Sequence, residues 1–443
     1  MLLIYTHKDS NRLQYTLKTI FGQILGVEYN HTTQKDEFLR YQGPKMNYSP
    51  KPFSKEIFFC SVELLFQKGI ENFTIQTLNY EGAKAPFPVY DDKSHLPFDP
   101  LAASFYMLSR YEEYLPYKGD EHGRFNAHDS IAYRYRFLRK PVVNIWAYQI
   151  KKILKKRFPQ LVFKKRKFRF IPTYDIDIAF SYRSKGFMRS LGGYLRDIYT
   201  GDFKDLLHRS QVLMGMRPDP YDTYSYQINQ HKKYNLDAIY FILFGKYGKY
   251  DKNLSVNNKR FQVLIKHIAD YAEVGIHPSY ASAKNPEQLK DEINKLAQVL
   301  KKEVKSSRMH FLKVDLPDTY RNLISMEITD DYSMGFASEP GFRAGTCDTF
   351  NFYDLDLDTE TNLQVHPFTV MEGTLRDYKG IQPNEAIQYI KPLIDEVKAV
   401  DGTLISLWHN PSLNDHIAEG GWRKPYEDMI KYALDIEDTE ETK

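Results

Sequence analysis

Seven residues in the C-terminal part of the chain have types and settings suited to hydrolysis. The segment Thr173-Tyr-Asp-Ile-Asp177 carries two carboxylates two residues apart. On a strand both would point to one face, and like charges so close need a cation or a shared proton. His277 lies in Gly-Ile-His-Pro-Ser, where Pro278 holds the backbone extended or in a turn. His310 follows Arg308 and opens an apolar run, and Asp331 closes another. Arg343 sits in Gly-Phe-Arg-Ala-Gly, and His409 ends Leu-Trp-His-Asn, bracketed by Trp408 and Pro411. Each alone has a plain structural reading: an aspartate as a turn or helix cap, a lone histidine as a structural group, Arg343 as an ion-pair partner of Asp331. Together, two histidines and a carboxylate form a common catalytic zinc set with a position left for water. An extra aspartate, histidine and arginine would supply a base, an acid and an orienting cation. A Ser or Cys nucleophile is the weaker reading. There is no Gly-x-Ser-x-Gly elbow, Cys347 has no evident histidine partner, and Gly245-Lys-Tyr-Gly-Lys-Tyr250 lacks the spacing of a phosphate loop.

The elements that would position these residues alternate, strand then helix, from Lys167 onward. Eight strand candidates are FRFIPTYDI, DAIYFILF, VGIHPS, MHFLKV, SMEIT, FRAG, LQVHPFTV and TLISLWHN. Helical spacing recurs in 286–304 (Leu289, Ile293, Leu296, Leu300, Val304) and in 385–400 (Ile387, Ile390, Ile394, Val397). Gly275 and Gly402 stand where left-handed helix caps are wanted. The pattern predicts an α/β chain with a regular or distorted (β/α) barrel, whose chemistry would sit at the C-terminal strand ends. Residues 1–160 read as a smaller α/β or α+β domain and 167–435 as the barrel. In the first, 98–116 has helical spacing, and 141–158 places Val143, Trp146, Ile150, Ile153 and Leu154 on one face. Tyr111, Glu112, Glu113 and His128 are polar residues that would support this domain or pack toward the barrel mouth.

Composition narrows the class. The 443 residues, 42% hydrophobic and 27% charged, suit ordinary folded domains. Two cysteines, Cys60 and Cys347, exclude a disulfide scaffold and fit a reducing compartment. The five apolar residues at the N-terminus are too few for a signal peptide, and the run Ala238–Phe244 is too short for a membrane span, so a soluble cytoplasmic protein is expected. Net charge is +4, but Lys151–Arg169 holds ten Lys or Arg and no acid, leaving 4 − 10 = −6 elsewhere. That balance excludes a general nucleic-acid binder. The basic run is a solvated face beside a linker, or a contact with an anionic membrane or polymer.

The motifs resemble those of the polysaccharide deacetylase superfamily (NodB homology, carbohydrate esterase family 4). TYDID (173–177) is similar to its Thr-Phe-Asp-Asp motif, HPSYAS (277–282) to its His-Ser/Thr-x-x-His motif, GFRAGT (341–346) to its arginine motif and LWHN (407–410) to its final Leu-x-His. FDPLAASFYMLSRYEEY, SRMHFLKV and DDYSMGFASEPGFRAGT resemble a bacterial subgroup with an uncharacterised N-terminal domain. The resemblance implies a distorted (β/α) barrel and a divalent metal, zinc or else cobalt or nickel. It implies Asp175 as general base, Asp177 and His277 as metal ligands, Arg343 as the residue orienting the base and His409 as general acid; Asp331 joins the candidate catalytic set by its place at a strand end alone. Position 281, where the motif has its second histidine, is Ala. His310 is expected to replace that ligand, with Ser279 or Ser282 lining the site. The implied activity is removal of an N-acetyl group from a saccharide intermediate of surface polysaccharide synthesis, nucleotide- or lipid-linked. The alternatives are hydrolysis of a non-sugar amide on the same fold, or a non-catalytic carbohydrate-binding or scaffold role, which Ala281 motivates.

Overall fold

The apolar run Leu2-Leu-Ile4 has no polar face, so its strand must be covered on both sides. In the computed structural model, which describes residues 1–414 and 421–436, it is the inner strand β1 (Leu2–Thr6) of a parallel sheet. Its companions are β2 (Tyr29–Thr32), β3 (Lys45–Ser49) and β4 (Ile57–Cys60), in the order β2-β1-β3-β4. A small antiparallel hairpin, β5 (Thr77–Tyr80) and β6 (Ala83–Pro86), follows. The helix expected over 98–116 covers only Pro100–Leu108. Asp99 caps it, accepting from the amides of Leu101 and Ala102 with one oxygen and from Tyr48 Oη and Val62 N with the other. The left-handed Arg110 then breaks the helical path. Helix Val142–Arg157 buries Val143, Trp146, Ile150 and Leu154. Part of the basic run that it opens is structural: Lys151 lies over the Tyr148 and Phe163 rings, and Arg166 pairs with Asp348.

The second sheet has nine strands. β7 (Arg169–Ile176), β8 (Ile239–Leu243), β9 (Glu273–His277), β10 (Ser306–Ser307), β11 (Asp330–Asp331), β13 (Thr359–Val365), β14 (Val370–Met371) and β15 (Thr403–His409) run parallel, and β12 (Phe350–Asp354) pairs antiparallel to β13. Their order is β12-β13-β11-β10-β9-β8-β7-β15-β14. The expected barrel is not closed, since no strand pairing joins the two edges among the described residues. It is nevertheless rolled. Flat, β13 and β14 would stand about 34 Å apart at 4.8 Å per strand, yet the chain from Val365 to Val370 reaches at most about 18 Å.

Several of the expected elements differ. FRAG (342–345) and MHFLKV (309–314) form no strand; the short β10 precedes the latter, and Phe311 and Leu312 are left-handed. SMEIT yields to β11 five residues on, and LQVHPFTV splits into the ends of two strands. Gly275 and Gly402 are not left-handed caps: the helix before Gly275 ends in the right-handed Asp270, and Asp401 takes the left-handed conformation ahead of Gly402. Gly275 lies inside β9, where a Cβ would stand 2.6 Å from the carbonyl oxygen of Ser306. One apolar core runs from Leu2 to Ala433 and includes residues under both large sheets. Among the described residues no helix is long and apolar enough to cross a membrane.

Candidate functional site

Parallel pairing of β15, β7, β8 and β9 in register puts His409 beside Asp175 and His277 beside Leu243, so the polar residues emerge at one edge of the sheet. Asp177 follows β7 directly, and His310 opens the turn after β10. His277 Nε2 is 3.1 Å from Asp177 Oδ1, and His310 Nε2 is 3.6 Å from the same oxygen. The potential ligand atoms of Asp177, His277 and His310 all lie within 4.8 Å of one another. They line a cavity of about 160 Å³ with Asp175, His409, Leu312, Met371 and Tyr378.

The outer nitrogens of the two imidazoles are already committed. His277 Nδ1 donates to the carbonyl of Arg308 at 2.5 Å, and His310 Nδ1 faces Asp251 Oδ1 at 3.0 Å. Each ring therefore aims Nε2 at the cavity, the arrangement that orients a metal-binding histidine. Asp177 Oδ1 is buried and accepts no hydrogen bond. A carboxylate oxygen facing two imidazole nitrogens that converge on one cavity is a donor set that fits a divalent cation.

The electrostatics agree. Burial disfavours charge on Asp177, but the imidazoles of His310, His277 and His409 outweigh it and hold the carboxyl far below its usual range. Burial likewise opposes a proton on His277, while Asp175 and Asp177 draw its pKa upward. The negative field that attracts a proton there attracts a metal ion equally, so the two compete. His409 Nδ1 lies 2.8 Å from Glu372 Oε1, and its Nε2 lies 3.8 Å from Asp177. Burial would lower its pKa; the fully buried Glu372, with Asp177 and Asp175, raises it to about 10.

Asp175 faces the cavity, and its Oδ1 accepts from Arg308 at 3.0 Å. Arg308, itself fully buried, also donates to Thr173 Oγ1 and to the carbonyl of Tyr332. Arg308 thus occupies the place expected of Arg343. Arg343 instead makes a two-pronged pair with Glu113 at 2.9 and 2.6 Å and donates to the carbonyl of Gly335. Glu113 also pairs with Arg110, so a buried ion cluster joins the N-terminal segment to the sheet. Asp331 lies outside the cavity too: Ser307, Tyr320 and Ser333 donate to it, and its four hydrogen bonds leave it no free acceptor facing the site. Ser279 is spent on Glu292, Ser282 donates to the carbonyl of Ser279, and Ala281 is exposed.

Four participants went unread in the sequence: Asp251, Glu372, the orienting role of Arg308, and Arg124. Arg124, from the N-terminal segment, bridges Asp120 and the carbonyl of Phe311 and lines the cavity wall. A neighbouring cavity of about 340 Å³ shares Arg124, Leu312, Ala337 and Tyr378 with the first. Glu372 ends an apolar strand, the same signal that marked Asp331, and Arg308 sits two residues from His310; nothing local distinguishes Asp251.

Residues 2–159 match the profile of a family of unknown function, DUF7033. No curated protein matches the sequence. Solved structures similar to this one include a Mycobacterium smegmatis protein assigned as a polysaccharide deacetylase (11% identity, 62% of this chain and 86% of that one, TM-score 0.40). They also include Puue allantoinase (10% identity, 61% and 85%, TM-score 0.39). A third is BA3943 of Bacillus anthracis, a pseudoenzyme of carbohydrate esterase family 4 (12% identity, 61% and 62%, TM-score 0.30).

Proposed function

We propose that the protein is a metal-dependent hydrolase that removes an N-acetyl group from a saccharide. The observation that carries this reading is the convergence of Asp177 Oδ1, His277 Nε2 and His310 Nε2 on one cavity, beside Asp175 and a His409 whose pKa is raised to about 10. The substrate class rests on the ordered motifs TYDID, HPSYAS, GFRAGT and LWHN. Asp177, His277 and His310 would hold the metal, zinc or else cobalt or nickel, since imidazole and carboxylate suit all three. Such an ion supplies Lewis acidity, polarising an amide carbonyl and acidifying water.

The remaining steps belong to the chain. Asp175 is fixed through Oδ1 by Arg308, which leaves Oδ2 to accept a proton from water as it attacks the acetyl carbon. His409 enters charged at neutral pH because Glu372 sustains its proton, and gives that proton to the nitrogen as the C–N bond breaks. Acetate and a free amine result. The small cavity, walled by Leu312 and Met371, admits an acyl end, and the adjoining 340 Å³ cavity leaves room for the remainder of a sugar.

The test is elemental mass spectrometry on protein purified without chelator, followed by acetate release from acetylated sugars. Metal lost in both His277→Ala and His310→Ala, with acetate release from the parent protein, supports the reading. Folded protein that takes up no zinc, cobalt or nickel overturns it and leaves a binding or scaffold role.

A further inference from the structure

Between β7 and β8 the chain leaves the sheet for a pair of helices, Phe187–Tyr199 and Phe203–Leu213. Their polarity is inverted. A helix on a water-soluble surface turns its apolar stripe inward and its charges outward. Here the inner side is ionic: Arg209 is buried with its Nε 2.8 Å from Asp197, which is 1% exposed, and its guanidinium lies over the Tyr182 ring. Tyr182 Oη donates to Asp205, and Tyr194 Oη bonds Ser210. The outer side is apolar. Met188, Leu191, Leu195 and Ile198 recur at three- and four-residue spacing on the first helix and are 76, 41, 59 and 55% exposed. Phe203 and Leu207 on the second are 69 and 57% exposed. A contiguous apolar face of this kind marks a partner or a membrane surface.

Charge selects between those occupants. Of the seven Lys or Arg in residues 183–217, Arg209 is spent inside the pair, Arg196 on Asp197 and Asp205, and Arg189 on backbone carbonyls. Lys204 and Arg217 are exposed. A second copy would bring these cations against like charges around the apolar face, which repels; an anionic lipid surface attracts them. We propose that this helical pair docks the protein on an anionic bilayer, its apolar face among the headgroups and its basic residues on the phosphates. Arg189 ties the pair to the sheet through the carbonyls of Lys252 and Asn253. The pair leaves from the C-terminal end of β7, the end that precedes Asp177, whereas the basic run Lys151–Arg169 enters at the opposite end, about 23 Å away along the strand. Docking is thus assigned to the helices and not to that run. It stands apart from the reading of the catalytic site, and its test has no catalytic readout.

The experiment is co-sedimentation of the full chain with vesicles of phosphatidylglycerol mixed with phosphatidylcholine, and of phosphatidylcholine alone. Binding to the anionic vesicles is expected, falling at least ten-fold in Leu195→Ser/Leu207→Ser. Lys204→Gln and Arg217→Gln should each weaken it about five-fold. Lys152→Gln/Lys156→Gln should leave it unchanged. Thermal midpoints equal to the parent's show that the exposed substitutions have not unfolded the chain. Failure of the parent to sediment, undiminished binding by the apolar variant, or a dimer in analytical ultracentrifugation that the apolar variant abolishes would each overturn the proposal.

Discussion

His310 stands where its Nε2 shares Asp177 Oδ1 with His277, while position 281 lies exposed on a turn outside the cavity. An imidazole added at 281 would have to cross the loop to reach the site. Elemental analysis should therefore find metal lost in His310→Ala and not restored in His310→Ala/Ala281→His. The two arginines also separate by experiment. Arg308→Lys removes the fixed fork that holds Asp175 and should lower kcat about 10- to 100-fold, with metal content kept. Arg343→Met breaks a buried pair away from the cavity and should cost about 3 kcal/mol in urea unfolding, with metal content likewise kept. His409 makes stability depend on pH in the metal-free protein. Its folded pKa of about 10 lies above the usual 6.5. Its pairing with Glu372 therefore stabilises fully below pH 6.5 and fades as pH rises through 10. The thermal midpoint of chelator-treated protein should fall across that window, and less so in His409→Asn.

At the scale of elements, the two histidines depend on how closely β9 and β10 approach. β9 ends at His277, and β10 stops three residues before His310. Gly275 allows this approach, because any Cβ there would press on the Ser306 carbonyl at 2.6 Å. Gly275→Ala must push the two strands apart or distort one of them. Overpacking of this kind costs about 1–3 kcal/mol, and the displacement falls on His277 and His310. The expected outcome is a lower urea midpoint together with metal affinity weakened at least ten-fold in competition with a chelator. Unaltered affinity would mean that the ligands are set by their loops alone. Much of this level was legible in the sequence: the strands that carry Asp175, His277 and His409 at or next to their C-terminal ends announce themselves by apolar content. The two-residue strands β10, β11 and β14 carry no such signal, since their pairing depends on neighbours already in place.

For the whole molecule, the N-terminal segment and the rolled sheet share a core and a charge cluster. Glu113 neutralises Arg343, Arg12 pairs with Asp358, and Arg124 forms part of the cavity wall. Removing residues 1–160 would leave Arg343 buried without its carboxylate and expose the apolar surface beneath. We expect a 167–435 fragment to aggregate or to unfold without cooperativity, as circular dichroism melting would reveal. A cooperative transition near that of the full chain would show that the shared core is dispensable.

The sequence by itself determined the α/β class and singled out Asp175, Asp177, His277, His310 and His409, which the fold gathers around one cavity, because apolar periodicity and residue type are local properties. Tertiary structure alone decided which buried arginine holds Asp175, that Asp331 is consumed by hydroxyl donors, and that Glu372 keeps His409 charged. Those outcomes depend on which side chains, up to 230 residues apart as with Arg343 and Glu113, arrive within hydrogen-bond reach, and on which of them burial leaves without another partner.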